Sequence, residues 1–294
     1  MQLADYVETD PPGEGFQDAA DLLRQWDMYS YRKLAGEIGD VDELLATRVG
    51  ACVEYQRARG SYPLVMYSSG WYNRTPDNLR LAEFLAARGF VVVGVPQLNP
   101  ALWTYQFASD PISVENQLRD LEVALGEVIG LPGVDRTRVA AMGYSTGGDL
   151  ALLLQGRNPL IDAVIGLDST WALGDDDVVA DSPYFGGERN RKPILLLRRG
   201  IDGVTAAPGL EKLDRALRLV ATVPGADHGT FSDDAWLAGQ EGPGDSDTDT
   251  YDRICRTVHA FLQGVFRPPV AEAELVAMME DLGWMVRALP ASQE

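Results

Sequence analysis

The chain has 294 residues, 46% of them hydrophobic and 23% charged, which suits one large α/β domain or a domain with a small appendage. Its formal net charge of −19 argues against a nucleic-acid partner, whose phosphates must be neutralised by Lys and Arg, and against anionic membrane surfaces. No apolar run approaches the roughly 20 residues of a membrane span, and the acidity by itself implies little beyond solubility.

Residues 1–15 are Pro/Gly-rich and acidic, with neither a basic n-region nor an apolar h-region, so the expectation is a cytoplasmic protein. Residues 17–59 carry helical patterning, as in DAADLLRQW and VDELLATRVGACVEYQRAR. The pattern then changes. PLVMYS (63–68) reads as a strand, DNLRLAEFLAARG (77–89) as an amphipathic helix closed by Gly89, and FVVVGV (90–95) as a buried strand. Helix 113–130, strand 138–143, helix 147–156, strand 162–168 and strand 192–198 follow. LEKLDRALRL (210–219) reads as a short helix and LVATVPG (219–225) as a strand, with helices over 251–266 and 270–286. Strands alternating with helices imply βα crossovers and a mainly parallel sheet, with the chemistry at the carboxyl ends of the strands. The expected organisation is an N-terminal helical extension (1–59), an α/β core (60–266) and a C-terminal helical tail (267–294). The apolar stripe of that tail has two candidate partners, the core and a second copy in a homo-oligomer. Cys52 and Cys255 read as ordinary thiols, and no Cys/His grouping has metal-ligand spacing.

Residues 143–147 read GYSTG, a G-x-S-x-G match followed by Gly148. The motif alone is weak. Here a strand leads in and a helix leads out, as a sharp turn that exposes a serine above a sheet requires. Glycines on either side let strand and helix approach closely. Ser145 is therefore the candidate nucleophile, and the amide of Thr146 can face a developing oxyanion near the helix N-terminus.

A serine hydroxyl needs a base to become a nucleophile. Of the two histidines, His228 lies in GADHGTFSD just after the last predicted strand, while His259 sits inside the apolar helix pattern ICRTVHAFL and reads as a packing or surface histidine. His228 is the candidate base. The acid that orients it has two candidates by position, Asp168 at the end of AVIGLD and Asp202 after PILLLR. Asp175–Asp177 reads as a solvated run. Trp71, in SSGWYN after the first confident strand, is the candidate second oxyanion donor through its amide.

YPLVMYSSGW, LAEFLAARGFVVVGVPQ, GYSTGG, GLDSTW and HGTFSD follow one another in an order that resembles dienelactone-hydrolase-like bacterial esterases and platelet-activating-factor acetylhydrolases of the α/β-hydrolase superfamily. The resemblance covers roughly residues 60–235, and GYSTGG and HGTFSD are its specific parts. It implies an α/β-hydrolase fold and ester cleavage by a Ser-His-Asp triad, with no metal or organic cofactor. In the acetylhydrolase-like branch the acid lies in an LDxW-like segment, which resembles GLDSTW and favours Asp168, although the Trp is one residue further along here. In dienelactone hydrolases the acid resembles Asp202, and the nucleophile is usually Cys. The usual His-Gly after the first core strand is Ser69-Gly70 in this chain. The expected substrate is a small-molecule or lipid-like ester.

Overall fold

The computed structural model describes residues 2, 31–32, 36, 40–51, 58–70, 77–96, 110–170, 177–200, 208–238, 246–267 and 272–292. Its centre is a seven-stranded sheet of β1 (Tyr62–Ser68), β2 (Val91–Val95), β3 (Val134–Tyr144), β4 (Ala163–Leu167), β5 (Ile194–Arg199), β6 (Arg218–Val223) and β7 (Met285–Leu289), in the order β2-β1-β3-β4-β5-β6-β7. All neighbours are parallel except the β6/β7 pair. The named helices are α1 (Val41–Leu45), α2 (Leu79–Ala86), α3 (Pro111–Ile129), α4 (Thr146–Arg157), α5 (Asp233–Ala238), α6 (Ser246–Phe266) and α7 (Glu272–Asp281). Among the described residues no helix is long and apolar enough to cross a membrane.

Successive strand residues point to opposite faces, and the core divides accordingly. Leu64, Met66, Val139, Ala141, Val164, Ile194, Leu196 and Val220 face α3 and α4. Val65, Tyr67, Ala140, Met142, Ile165, Leu195, Leu197 and Leu219 face α2, α6 and α7. The central strands are apolar on both faces, as parallel strands covered by helices must be. The α4 residues from Thr146 to Gly156 are all buried, so this helix is nearly apolar all round rather than amphipathic. Arg157 at its end pairs with Glu115 and Glu122 of α3, at 2.7 and 2.9 Å. The start of α3 is set by Asp110, which accepts from the amides of Ile112 and Ser113, and by Pro111 in the first turn.

Three expected elements take a different form. FVVVGV forms β2 at the sheet edge, where Val91–Val93 are only half-buried and Gly94 is exposed. A β-branched run suits a central or an edge strand equally, and only the strand order separates the two. LEKLDRALRL is a single helical turn, Pro208–Glu211, followed by tight turns in which Leu213 donates to Leu210 and Ala216 to Leu213. Those turns bury Leu210, Leu213 and Ala216, the stripe that reads as helical in sequence. The helix predicted over 270–286 ends at Asp281. Gly283 adopts φ +85°, a conformation other residues resist, and turns the chain back into antiparallel β7. Part of the segment expected to be a helical tail therefore closes the sheet.

Much of the 17–59 segment lies outside the described residues. Within it, Leu44 of α1 packs with Leu79 and Leu237, and the Glu83 carboxylate accepts from the amides of Gly50 and Ala51.

The junction of β6 and β7 carries a buried cation. Arg218, 6% exposed, donates to the carbonyls of Leu210, Leu289 and Pro290. Truncation after Trp284 removes two of these acceptors and the strand itself. It is expected to lower stability by about 3 kcal/mol or more, read from the midpoint of urea unfolding. An unchanged midpoint would show that β7 is an ornament of the sheet.

Candidate active site

The site is built at the carboxyl ends of β3, β4 and β6. β3 ends at Tyr144, Ser145 has φ 53° and ψ −125°, and α4 begins at Thr146. A non-glycine residue at positive φ is strained, and the surroundings hold it there. The Ser145 amide donates to the Leu167 carbonyl of β4 at 2.8 Å. A Cβ at Gly143 would lie 2.2 Å from the Gly147 backbone, and one at Gly147 would lie 2.1 Å from the Ser68 carbonyl oxygen. One at Gly148 would strike the Ser169 hydroxyl. All three glycines of GYSTGG are thus required by close approach, and the third reaches toward the segment after β4.

Asp168 directly follows β4 and has φ 46°, a left-handed conformation that Asp tolerates better than most residues. It is buried. Its Oδ1 accepts from the Arg199 amide at 3.0 Å, and its Oδ2 lies 3.5 Å from the Arg199 guanidinium. The same Oδ2 is 2.6 Å from His228 Nδ1, and His228 Nε2 is 3.1 Å from Ser145 Oγ. Ser145, His228 and Asp168 therefore form one hydrogen-bonded line. It runs from a buried serine on a strained turn to a buried carboxylate, with the imidazole side chain 39% exposed between them.

Two devices hold His228. Asp227 accepts from the amide and hydroxyl of Thr230, whose oxygen in turn accepts from the Asp227 amide; the Thr230 hydroxyl keeps the Asp227 carboxyl below its ordinary value. Tyr144 stacks on the imidazole, with ring centroids 4.8 Å apart at 29°, and donates its hydroxyl to the His228 carbonyl at 3.0 Å. Burial, reinforced by Asp77, Asp234, Asp168 and Asp227, pushes the Tyr144 phenol well up, so it stays a neutral donor.

The structure thus brings together Ser145, His228 and Asp168, with Thr146 as the first residue of α4. Trp71 and Asp202 lie outside the described residues, as do Asp175 and Cys52. Arg199 and Tyr144 were not singled out in the sequence. Tyr144 lies inside GYSTGG, so its place beside the serine was visible, but its partner is 84 residues away. His259 sits on α6 against the edges of Phe84 and Phe90 and beside Gln263, remote from this line in contacts. Burial, with Arg88 and Arg267 adding to it, lowers its pKa.

No family model matches this sequence. It is 28% identical over 152 residues to Cutinase est1 of Thermobifida alba, a match spanning 45% of this chain and 45% of that protein. The chain thus spans under half the length of that curated relative. Its fold is similar to that of a ferulic acid esterase from Streptomyces cinnamoneus, with a TM-score of 0.63 at 22% identity over 90% of this chain and 84% of that one. It is also similar to DcsB in complex with its substrate analogue, with a TM-score of 0.50 at 14% identity over 70% of this chain and 92% of that one. The sheet order, its helical layers and the strand–serine–helix turn are those of the α/β-hydrolase fold.

Gly147→Ala is expected to cost about 3 kcal/mol or more, because its new methyl meets a backbone carbonyl that cannot move without shifting β1; a thermal melt within a degree or two of wild type would contradict the turn geometry. A histidine with a depressed folded pKa resists protonation in the native state, so its share of stability is present above the unfolded value of about 6.5 and is lost as pH falls from there through the lower folded value. Urea midpoints measured from pH 7.5 to 5.5 are accordingly expected to fall less steeply in His259→Gln than in wild type.

Proposed function

We propose that this chain is a serine carboxylic-ester hydrolase acting through an acyl-enzyme, with Ser145 as nucleophile, His228 as general base and Asp168 as the acid that orients the base. The observation that carries this reading is the hydrogen-bonded line from Ser145 Oγ through both imidazole nitrogens to Asp168 Oδ2. The names of the relatives, a cutinase and a ferulic acid esterase, support esters as the substrate class. A small-molecule or lipid-like ester is the proposed substrate, and the cytoplasm the proposed location.

In the proposed reaction Ser145 Oγ bonds to the ester carbonyl carbon while His228 Nε2 takes its proton. Asp168 fixes the tautomer with the proton on Nδ1 and stabilises the imidazolium that forms. The carbonyl oxygen becomes an oxyanion, received by the amides of Thr146 and Trp71. Thr146 suits this role because first-turn amides of a helix lack intrahelical acceptors. Collapse breaks the bond to the alcohol, which leaves with the proton from His228. Water then repeats the sequence and frees the acid. The chemistry needs no metal or organic cofactor.

Labelling with a fluorescent fluorophosphonate, followed by peptide mass spectrometry, tests the reading. The adduct is expected on Ser145 and is lost in Ser145→Ala and His228→Ala. Asp168→Asn is expected to lower kcat by about 10⁴-fold on a p-nitrophenyl ester. Esterase activity retained in Ser145→Ala would sink the proposal. Parallel p-nitrophenyl ester, anilide and thioester substrates distinguish ester cleavage from other acyl transfer on the same three residues.

A further inference from the structure

The end of the HGTFSD segment takes no part in the chemistry above, yet its aspartate is densely bonded. Asp233 is 2% exposed. Its Oδ2 accepts from the Leu79 amide at 2.6 Å, and its Oδ1 from the Arg80 amide at 3.2 Å and the Tyr251 hydroxyl at 2.9 Å. Leu79 and Arg80 open α2, whose own N-cap residue, Asn78, makes no side-chain capping bond. The helix is capped instead by a carboxylate 154 residues further along the chain.

Asn78 is engaged elsewhere. Its amide nitrogen donates to the Phe231 carbonyl at 3.1 Å and to the Tyr67 hydroxyl at 2.8 Å, and its oxygen lies 2.8 Å from the Tyr251 hydroxyl, whose single proton it shares with Asp233 Oδ1. Tyr67 donates to the Asp77 carboxylate, whose second oxygen accepts from the Gly70 amide at 2.9 Å. The Asp77 carbonyl accepts from the Asp233 amide at 2.7 Å. Burial holds the phenols of Tyr67 and Tyr251 well above their ordinary value, so both remain donors. One buried polar network thus joins the exit of β1, the start of α2, α6 and the loop that carries His228.

That loop is short and stiff. Residues 229–231 form a 3₁₀ turn, Phe231 donates to the His228 carbonyl at 3.3 Å and Ser232 to the Gly229 carbonyl at 3.1 Å. A shift of Phe231 or Asp233 therefore moves His228. We infer that Asp233 is a positioning residue for His228, with Asn78 and Tyr251 as its partners. It pins the far end of the base's loop to the N-terminus of α2 and to the strand that packs against Gly147. This rests on the reading of His228 as general base. The alternative is that the network only caps α2 and stabilises the fold. The two roles separate in kinetics, because a base displaced by about 1 Å can lose up to 10²-fold in rate while ground-state binding is untouched.

The test uses Asp233→Asn, which keeps the size and removes charge and an acceptor, and Tyr251→Phe, which removes one hydroxyl. For each, the melting temperature, kcat and KM on a p-nitrophenyl ester, and the downfield proton resonance of the His228–Asp168 hydrogen bond are measured well below the melting transition. The expected result is kcat lower by about 10-fold or more with KM within about twofold, and a shifted or broadened imidazole proton. A kcat within about twofold of wild type and an unmoved resonance, even with a lower melting temperature, overturn the inference. If Asp233→Asn does not fold, Tyr251→Phe decides by the same criteria. A wild-type protein that fluorophosphonate does not label at Ser145 overturns the base assignment and this inference with it. A labelled wild type with unchanged variants overturns the inference alone.

Discussion

The turn at Ser145 is the constraint on which the rest of the site depends. A serine at φ 53° is unfavourable, and it persists because β3 enters and α4 leaves through contacts that only glycine permits. Gly147 lies against the carbonyls of Ser68 and Ser69, so the turn is locked to the exit of β1. The Ser145 amide is bonded to Leu167, so it is locked to β4 as well. Position and strain therefore come from neighbouring strands and not from the five residues of the motif alone.

Around this turn, charge is arranged in order of depth. Asp168 is buried with an amide and a guanidinium from Arg199, which offset the cost of burying a carboxylate. His228 lies nearer solvent, sandwiched between that carboxylate, the Ser145 hydroxyl and the face of Tyr144. An imidazole held at both nitrogens and on one face has few other orientations open to it. The side chains come from three strand ends, and the rigidity of the parallel sheet sets their spacing.

A second polar assembly, of Tyr67, Asp77, Asn78, Asp233 and Tyr251, lies under the same loops. It substitutes for a local helix cap and places two buried carboxylates with donors on each. Such networks are costly when incomplete and favour one arrangement when complete. Here that arrangement joins segments remote in sequence, which apolar packing alone would leave free to slide.

The sequence by itself determined the parallel-type core strands, the crossover helices and the glycine-flanked serine turn, because local patterning and glycine spacing are properties of short segments. It also narrowed the candidate base to His228, since the chain has only two histidines and the other lies within an apolar helix. It left Asp168 and Asp202 level on position, because both follow strands that end at the same edge of a sheet. Tertiary structure decided what depends on neighbours: that β2 is an edge strand, that Met285–Leu289 pairs with β6, and that the stripe of 210–219 is buried by turns. It also decided that Asp168 lies 2.6 Å from His228, and that Asp233 caps a helix more than 150 positions earlier in the chain. Hydrogen bonds of such sequence separation leave no periodic trace along the chain, because their geometry exists only once the strands have set the ends of the loops in space.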